Sequence, residues 1–302
     1  MSVITRASHP KALWPGVKRW WGLEYNKYEP IWPRLFEKLS STQAYEEDVE
    51  TIGFGMLSVK NESGSIVYDT AQQGTVSRYT HITYALGYQV TLEEYQDNLY
   101  EKVSLKRTGR LARSVFETGE VIHGNIFNRG FDSNFPGGDG KALFATDHPT
   151  ASGNQSNRLS VDADLSEASI EDICIQIANA KDSRGLRFLN KPRCLAVPND
   201  LMFEANRIIK SVLQNDTANN AINAIRALGI FPDGIIVNPY FTDPDAWFVK
   251  TDCPDGLTHY TRMAPAFDKD NDFDTKNAKA SVVERFVAGW TNFRQAYASP
   301  GA

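Results

Sequence analysis

The chain has 302 residues, a formal net charge of −5 and 41% hydrophobic residues, enough for one large domain or two ordinary ones. Its acidity gives no overall-charge signal for nucleic-acid binding, and no run approaches the ~20 apolar residues of a membrane span. The N-terminus shows no signal-peptide pattern, and Cys174, Cys194 and Cys253, without paired spacing, point to reduced thiols and a cytosolic place of synthesis.

Residues 1–45 hold four of the six tryptophans, Trp14, Trp20, Trp21 and Trp32, among Pro10, Pro15, Pro30 and Pro33. The prolines discourage continuous helix or central strand, so an extended arm is expected. Burying one Trp removes about 150–250 Å², or roughly 4–6 kcal/mol as an upper bound. Such an arm must lie on something: its own domain or, favoured by its length and prolines, a neighbouring subunit. A short helix is expected within Trp32–Leu39. Residues 46–90 read as a long β-loop. Phe54, Met56 and Val59 lead into an Asn61–Gly64 turn, Ser65–Thr70 returns, and Ala71–Gly74, with Gln72 and Gln73, forms a polar tip. Ile82, Tyr84, Leu86, Tyr88 and Val90 then alternate with polar or small residues, which predicts a strand.

That strand runs into Thr91–Arg129, the stretch on which the rest is organised. Thr91 and Glu94 make a capping box, Leu92, Tyr95, Leu99 and Val103 start an apolar stripe, and Leu111, Val115, Ile122 and Ile126 resume it. One helix of this length would reach roughly 55–60 Å; the alternative is two helices split near Gly109. Gly130 is the expected stop. A Gly-rich connector, 135–140, leads to α/β material. Ser166 caps a helix bearing Ile170, Ile173 and Ile177, and strands are expected at Arg193–Val197, Gly234–Asn238, Ala246–Lys250 and Leu257–Met263. A helix begins near Asn199, a polar loop spans Asn215–Asn223, and a short helix passes through Ile225 and Leu228. Lys279–Tyr297 alternates over a long run and must pair far back in sequence, beside the long helix.

Chemistry is scarce. No two of His9, His81, His123, His148 and His259 have metal-ligand spacing, and nucleotide-binding and nucleophile-elbow motifs are absent. Asp147–His148 suggests a hydrolytic dyad, but Pro149 and the lack of an activated nucleophile favour a structural turn. Asp268, Asp270, Asp272 and Asp274 imitate a calcium loop, yet Phe273 and Lys279 stand where Gly and Glu are required. Arg107, Arg110 and Arg113, with Lys102 and Lys106, form a basic patch suited equally to phosphate or to carboxylates of another subunit. The cysteines read as core residues. No cofactor or metal is implied.

Three stretches carry a family resemblance: Gly140–Pro149 with Ser156–Asn157 and Asp164–Ala168; Thr242–Val249; and Val287–Gly301. With the element order, the chain resembles the major capsid proteins of tailed bacteriophages, of the Hong Kong 97-type α+β fold, and most of all the head subunits of Mu-like phages. The resemblance implies an N-terminal arm (1–45), an extended β-loop (46–90), a periphery domain with a spine helix (91–134), an inserted α/β axial domain (135–245) and a return to the periphery domain (246–302). It implies a non-enzymatic protein that builds an icosahedral shell around double-stranded DNA. Its partners would be its own copies as hexamers and pentamers, a portal, scaffold or decoration proteins, and the packaged DNA through weak contact. It would reside in the virion after assembly in the bacterial cytoplasm. Subunit contacts are expected at Trp14, Trp20, Trp21, Trp32, Gln72, Gln73, Arg107, Arg110, Arg113, Asn219 and Asn220. A cellular compartment of the encapsulin type keeps the same fold, and a hydrolase using Asp147 and His148 is the alternative from another class.

Overall fold

The computed structural model describes residues 15–91, 93, 100–214, 221–272 and 277–302. Two four-stranded sheets form its frame. The first has the order β1 (Glu37–Ser40), β10 (Leu257–Asn271), β11 (Ala278–Trp290), β4 (Ile82–Val90). β1 runs parallel to β10, and the other neighbours are antiparallel. The long alternation near the C-terminus thus pairs far back in sequence, Phe286 with Ile82 and Ala278 with Val90. Its even positions from Ala278 to Phe286 are buried, and α2 (Tyr100–Asn128) lies over that face. Described from Tyr100, this long helix passes Gly109 unbroken, so the split there is not found. Thr91 is described but Leu92 and Glu94 are not, so the capping box and the start of the stripe lie outside the described residues.

The second sheet has the order β12 (Ala296–Ser299), β9 (Trp247–Thr251), β7 (Pro192–Val197), β8 (Ile235–Val237). β7 carries Leu195 and Val197 on one face and Cys194 and Ala196 on the other. The first face packs with Ile170, Ile173 and Ile177 of α3 (Glu167–Ala178), Ala205 and Ile208 of α4 (Met202–Lys210), and Ile225 of α5 (Ala224–Leu228). The second face meets an aromatic layer of Phe36, Phe127, Phe144, Phe248 and Trp290, which joins the two sheets. Ser166 caps α3 with a full capping box, though Ser169 supplies the return bond. Gly229 stops α5 at φ +59°, the left-handed region where only glycine is unstrained.

Several expectations need correction. β9 and β12 belong to the second sheet, so the chain does not leave it at 245; the run through Tyr297 breaks at a 3₁₀ turn, Phe293–Gln295, and changes sheets. The loop does not extend to residue 90, because β4 is part of the first sheet. The loop's ribbon is β2 (Tyr45–Ile52) with β3 (Gln72–Thr80), and residues 53–71 beyond it form neither strand nor helix, although the Asn61–Gly64 turn is present. Gln72 and Gln73 therefore stand in the ribbon, paired through their backbones with Ile52 and Thr51, rather than at a tip. Trp32–Leu39 is a single 3₁₀ turn, Trp32–Arg34, followed by β1. The arm is also not extended throughout: α1 (Pro15–Tyr25) is helical, because proline at a helix's first position forfeits no internal hydrogen bond.

Candidate subunit interface

The arm from Pro15 to Leu35 runs along its own long helix. Trp21 is buried against Leu111, Ala112 and Val282 and stacks on Phe267 with centroids 5.4 Å apart. Trp32 stacks on His123 at 4.3 Å and lies tilted by 32° against His259 at the same centroid distance. The neighbour favoured for these two rings is not needed: a helix with Leu111 and Ala112 on its stripe offers them an apolar bed within the chain. Trp20 is half-buried, its ring 5.4 Å from the Lys27 ammonium, and its buried indole N–H has no partner among the described residues. Trp14, Asn219 and Asn220 lie outside the described residues.

Glu120 fastens the arm. Its Oε1 accepts the backbone N–H of Ile31 at 2.6 Å and of Trp32 at 3.4 Å, while burial pushes its carboxyl pKa upward. Beside it, His123 Nδ1 faces the Gly119 carbonyl at 2.6 Å and must therefore carry the proton. His123 Nε2 then accepts from His259 Nδ1 at 3.0 Å, and His259 Nε2 accepts from the Thr261 hydroxyl at 2.9 Å. Burial disfavours charging either ring, and a proton added at His123 Nε2 would set its N–H against the His259 Nδ1–H. Burial accordingly lowers His123 to about 4, and burial with the neighbouring His123 lowers His259 to about 3.

The extended loop is anchored at its root and bare beyond it. Glu50 of β2 meets Arg294, 3% exposed, at 3.3 Å and also accepts from Ser183; Arg294 Nε donates to the Lys181 carbonyl at 2.8 Å. Asp48 accepts from the Tyr260 hydroxyl at 2.7 Å. Farther out, Asp69 accepts the N–H groups of Gly55 and Thr70, each at 2.8 Å, and pairs with Arg184. These contacts hold Asp69 down at about 2, the Gly55 bond contributing most. Outside this clamp the apolar side chains face solvent: Met56 is 82% exposed, Leu57 100%, Val59 92% and Tyr68 90%, with Phe54, Ile66 and Val67 also exposed. Seven large apolar side chains exposed within one loop mark an interaction surface.

A groove of about 380 Å³ runs between the long helix and β4, lined by Tyr84, Leu86, Val115, Thr118, Val282 and Glu284. Glu284 is 8% exposed and, among the described residues, has no Lys, Arg or His within ion-pair distance. Burial alone raises its carboxyl to about 7. The sequence carries a signal for it, since a Glu interrupts the apolar phase Ala278, Ala280, Val282, Phe286. The His123–His259 pair carries none, being brought together across 136 residues.

The basic patch does not converge on one point. Arg107 donates to the Gln89 carbonyl at 3.3 Å, Arg110 is exposed, and Arg113 pairs with Glu117 at 2.7 Å. His148 is wholly buried, 2.5 Å from Asp139 and 3.1 Å from the Asn157 Oδ1, and its ring stacks on Phe293 at 3.9 Å; Asp147 points away to Lys141. This is a structural junction rather than a dyad. Asn157 is its centre, donating to the carbonyls of Leu143 at 2.6 Å, Phe293 at 3.1 Å and Ala296 at 2.9 Å, and accepting the Ala145 N–H at 3.0 Å. Two of the three stretches that carried the resemblance meet here. Burial pushes the thiols of Cys174, Cys194 and Cys253 up to about 12, 11 and 12, as for packed, unreactive groups. Among the described residues no three or more His, Cys, Asp or Glu converge to hold a metal, and no helix is long and apolar enough to cross a membrane. Phe273 and Asp274 of the acidic run lie outside the described residues, and Lys279 pairs with Asp272.

A plate of two fused sheets with a long helix across one, an arm and a projecting loop is the Hong Kong 97-type capsid fold. The chain is similar to the capsid of an empty GTA particle (TM-score 0.58, 10% identity, 91% of each chain covered). It is also similar to a virus-like particle from Pyrococcus furiosus (0.54, 12%, 94% of this chain and 97% of that one). A phage-related protein from Bordetella bronchiseptica is similar too (0.54, 14%, 92% and 95%). At these identities the likeness establishes the fold. Residues 74–299 match the model of the phage capsid protein family, and the chain belongs to that family: it is a major capsid protein, a shell-forming structural subunit of the virion. No curated protein matches the chain.

Proposed function

We propose that the chain assembles as hexamers and pentamers into an icosahedral shell around double-stranded phage DNA, in the cytoplasm of its bacterial host. The observation that carries this is the extended loop, whose apolar residues are exposed beyond an anchored root. Leaving a fully exposed Leu or Val side chain in water forgoes roughly 1.5–3 kcal/mol each. A closed shell of identical subunits recovers that term for every copy at once, because symmetry leaves no edge unpaired. The family match and the shared fold support the shell; the capsomer types, the DNA, a portal and scaffold or decoration proteins are our reading of it. So is the contact role of Trp14, Trp20, Arg107, Arg110, Arg113, Asn219 and Asn220. The net charge of −5 suits a wall that repels packed DNA weakly and lets it move. The work is mechanical, and no step of it calls for catalysis. The virus-like particle from Pyrococcus furiosus shares the fold alone and does not move the assignment toward a cellular compartment. Cryo-electron microscopy of the recombinant chain tests the proposal. Closed particles with fivefold and sixfold capsomers are expected; discrete rings or open sheets lacking fivefold vertices would contradict it.

A further inference from the structure

We infer that the cavity enclosed by the arm, the long helix, β10 and β11 binds a small alkylated ammonium ion. Glu284 is its counter-charge, and the rings of Tyr25, Tyr28, Trp32 and Phe286 are its walls. The site lies within one folded chain and does not depend on the shell reading.

β11 turns Ala278, Ala280, Val282, Glu284 and Phe286 to its buried face. The pleat thus carries one carboxyl into an otherwise apolar row beneath the long helix. Glu284 and Val115 line two voids at once: the groove of about 380 Å³ on the β4 side and a cavity of about 500 Å³ on the arm side. Small-ligand sites occupy about 300–1,000 Å³. Among the described residues no Lys, Arg or His pairs with Glu284, and burial is the only influence that moves its pKa. His123 and His259 border the same cavity, but burial disfavours charging them. Lys38 borders it too, yet it is exposed and its charge acts on His259. A buried carboxylate without a partner is costly, so the cavity favours an occupant that brings a positive charge.

The kind of cation follows from what the walls offer and lack. A hard metal ion takes several oxygen ligands, and a single carboxylate lines this cavity. An unsubstituted ammonium carries several N–H donors, each of which asks for an acceptor once it leaves water. An ammonium whose hydrogens are replaced by alkyl groups asks for none. It needs one opposite charge and aromatic faces, because the electron-rich face of a ring attracts a cation. Burial first, and the Glu284 charge second, raise the hydroxyls of Tyr25 and Tyr84, which places the carboxyl near both rings. Tyr25 stacks on Trp21 at 5.7 Å and Tyr28 on Phe116 at 5.2 Å, so the chain's own packing holds these walls in place. An anion or a neutral molecule would leave the carboxylate uncompensated.

Calorimetric titration of the full-length chain tests this, with choline as the probe and 3,3-dimethylbutan-1-ol, its neutral isostere, as the control. The titrations are run at pH 8, above the Glu284 value of about 7. Choline should saturate one site per chain and bind at least tenfold more tightly than the alcohol. Glu284→Gln keeps the shape of the side chain, and should weaken choline at least tenfold while leaving the alcohol unchanged. Tyr25→Leu should weaken choline about fivefold and Tyr25→Phe hardly at all, because the ring face makes the contact. Near-UV circular dichroism reports whether each variant keeps its packed rings; were Glu284→Gln to lose them, the choline–alcohol ratio of the wild type and the Tyr25 pair decide. Choline binding no tighter than the alcohol, or equally tight in a folded Glu284→Gln chain, would overturn the inference. Methylammonium binding as tightly as choline would overturn the alkylated class.

Discussion

The junction around Asn157 and the extended loop are built by opposite rules. At the junction every polar atom of Asn157 is engaged, His148 lies flat on Phe293, and the aromatic layer closes over them. Along the loop, among the described residues, the hydrogen bonds to the rest of the chain stop at the Asp69–Arg184 clamp, and beyond it only the Asn61–Gly64 turn bond remains while the apolar side chains face solvent. The first region is complete in one chain. The second is complete only in many. Stability and assembly should therefore be separable by substitution, which gives four ways to test the contrast.

The largest effect is expected at the loop. Leu57→Asp with Val59→Asp should abolish closed particles in electron micrographs and leave the urea midpoint of the unassembled subunit unchanged. The junction should behave in reverse. Asn157→Ala strands several buried carbonyls and one N–H, and should cost about 4 kcal/mol in urea unfolding before any defect of assembly is scored. Third comes the arm's histidine seat. The folded-state values of His123 and His259, about 4 and 3, lie below the free value of about 6.5. Between these limits the unfolded chain takes up protons that the folded chain refuses, so each histidine withdraws stability as pH falls below about 6.5. Glu284, with its value raised to about 7, works in the other direction, so the informative quantity is a difference between variants. The stability gap between wild type and His123→Gln should narrow by about 2 kcal/mol from pH 7 to pH 5. The smallest effect is Ser166→Ala, which removes the cap of α3 and should cost about 1 kcal/mol without altering assembly.

What the sequence disclosed follows the range of the interactions. The alternation of Val282, Phe286 and their neighbours, the long helix and the Ser166 cap are local patterns, and each is found. Within the β-loop the individual strand at Tyr45–Ile52 has no pattern of its own, because its residues, YEEDVETI, are mostly polar and gain strand form by pairing with β3. The helix at Pro15 was obscured by reading proline as a breaker without regard to its place in the turn. The strands of residues 246–302 alternate alike in the sequence, and tertiary packing sends β9 and β12 to one sheet and β10 and β11 to the other. Of the candidate interface, Phe54, Met56 and Val59 are visible in the sequence as apolar residues of the loop, whereas Leu57 is not singled out by any pattern. Their exposure, the anchoring of Glu50 by Arg294 and the isolation of Glu284 depend on residues far away in sequence, and no spacing reports them.

The central claim is that the folded chain is unfinished alone and is finished by its own copies. Sedimentation velocity of the purified recombinant protein, with negative-stain microscopy of the same sample, tests it most directly. The account predicts fast-sedimenting, hollow, closed particles in which the loop amides around Leu57 resist hydrogen exchange. A monodisperse monomer at high concentration, with those amides exchanging freely, would contradict it.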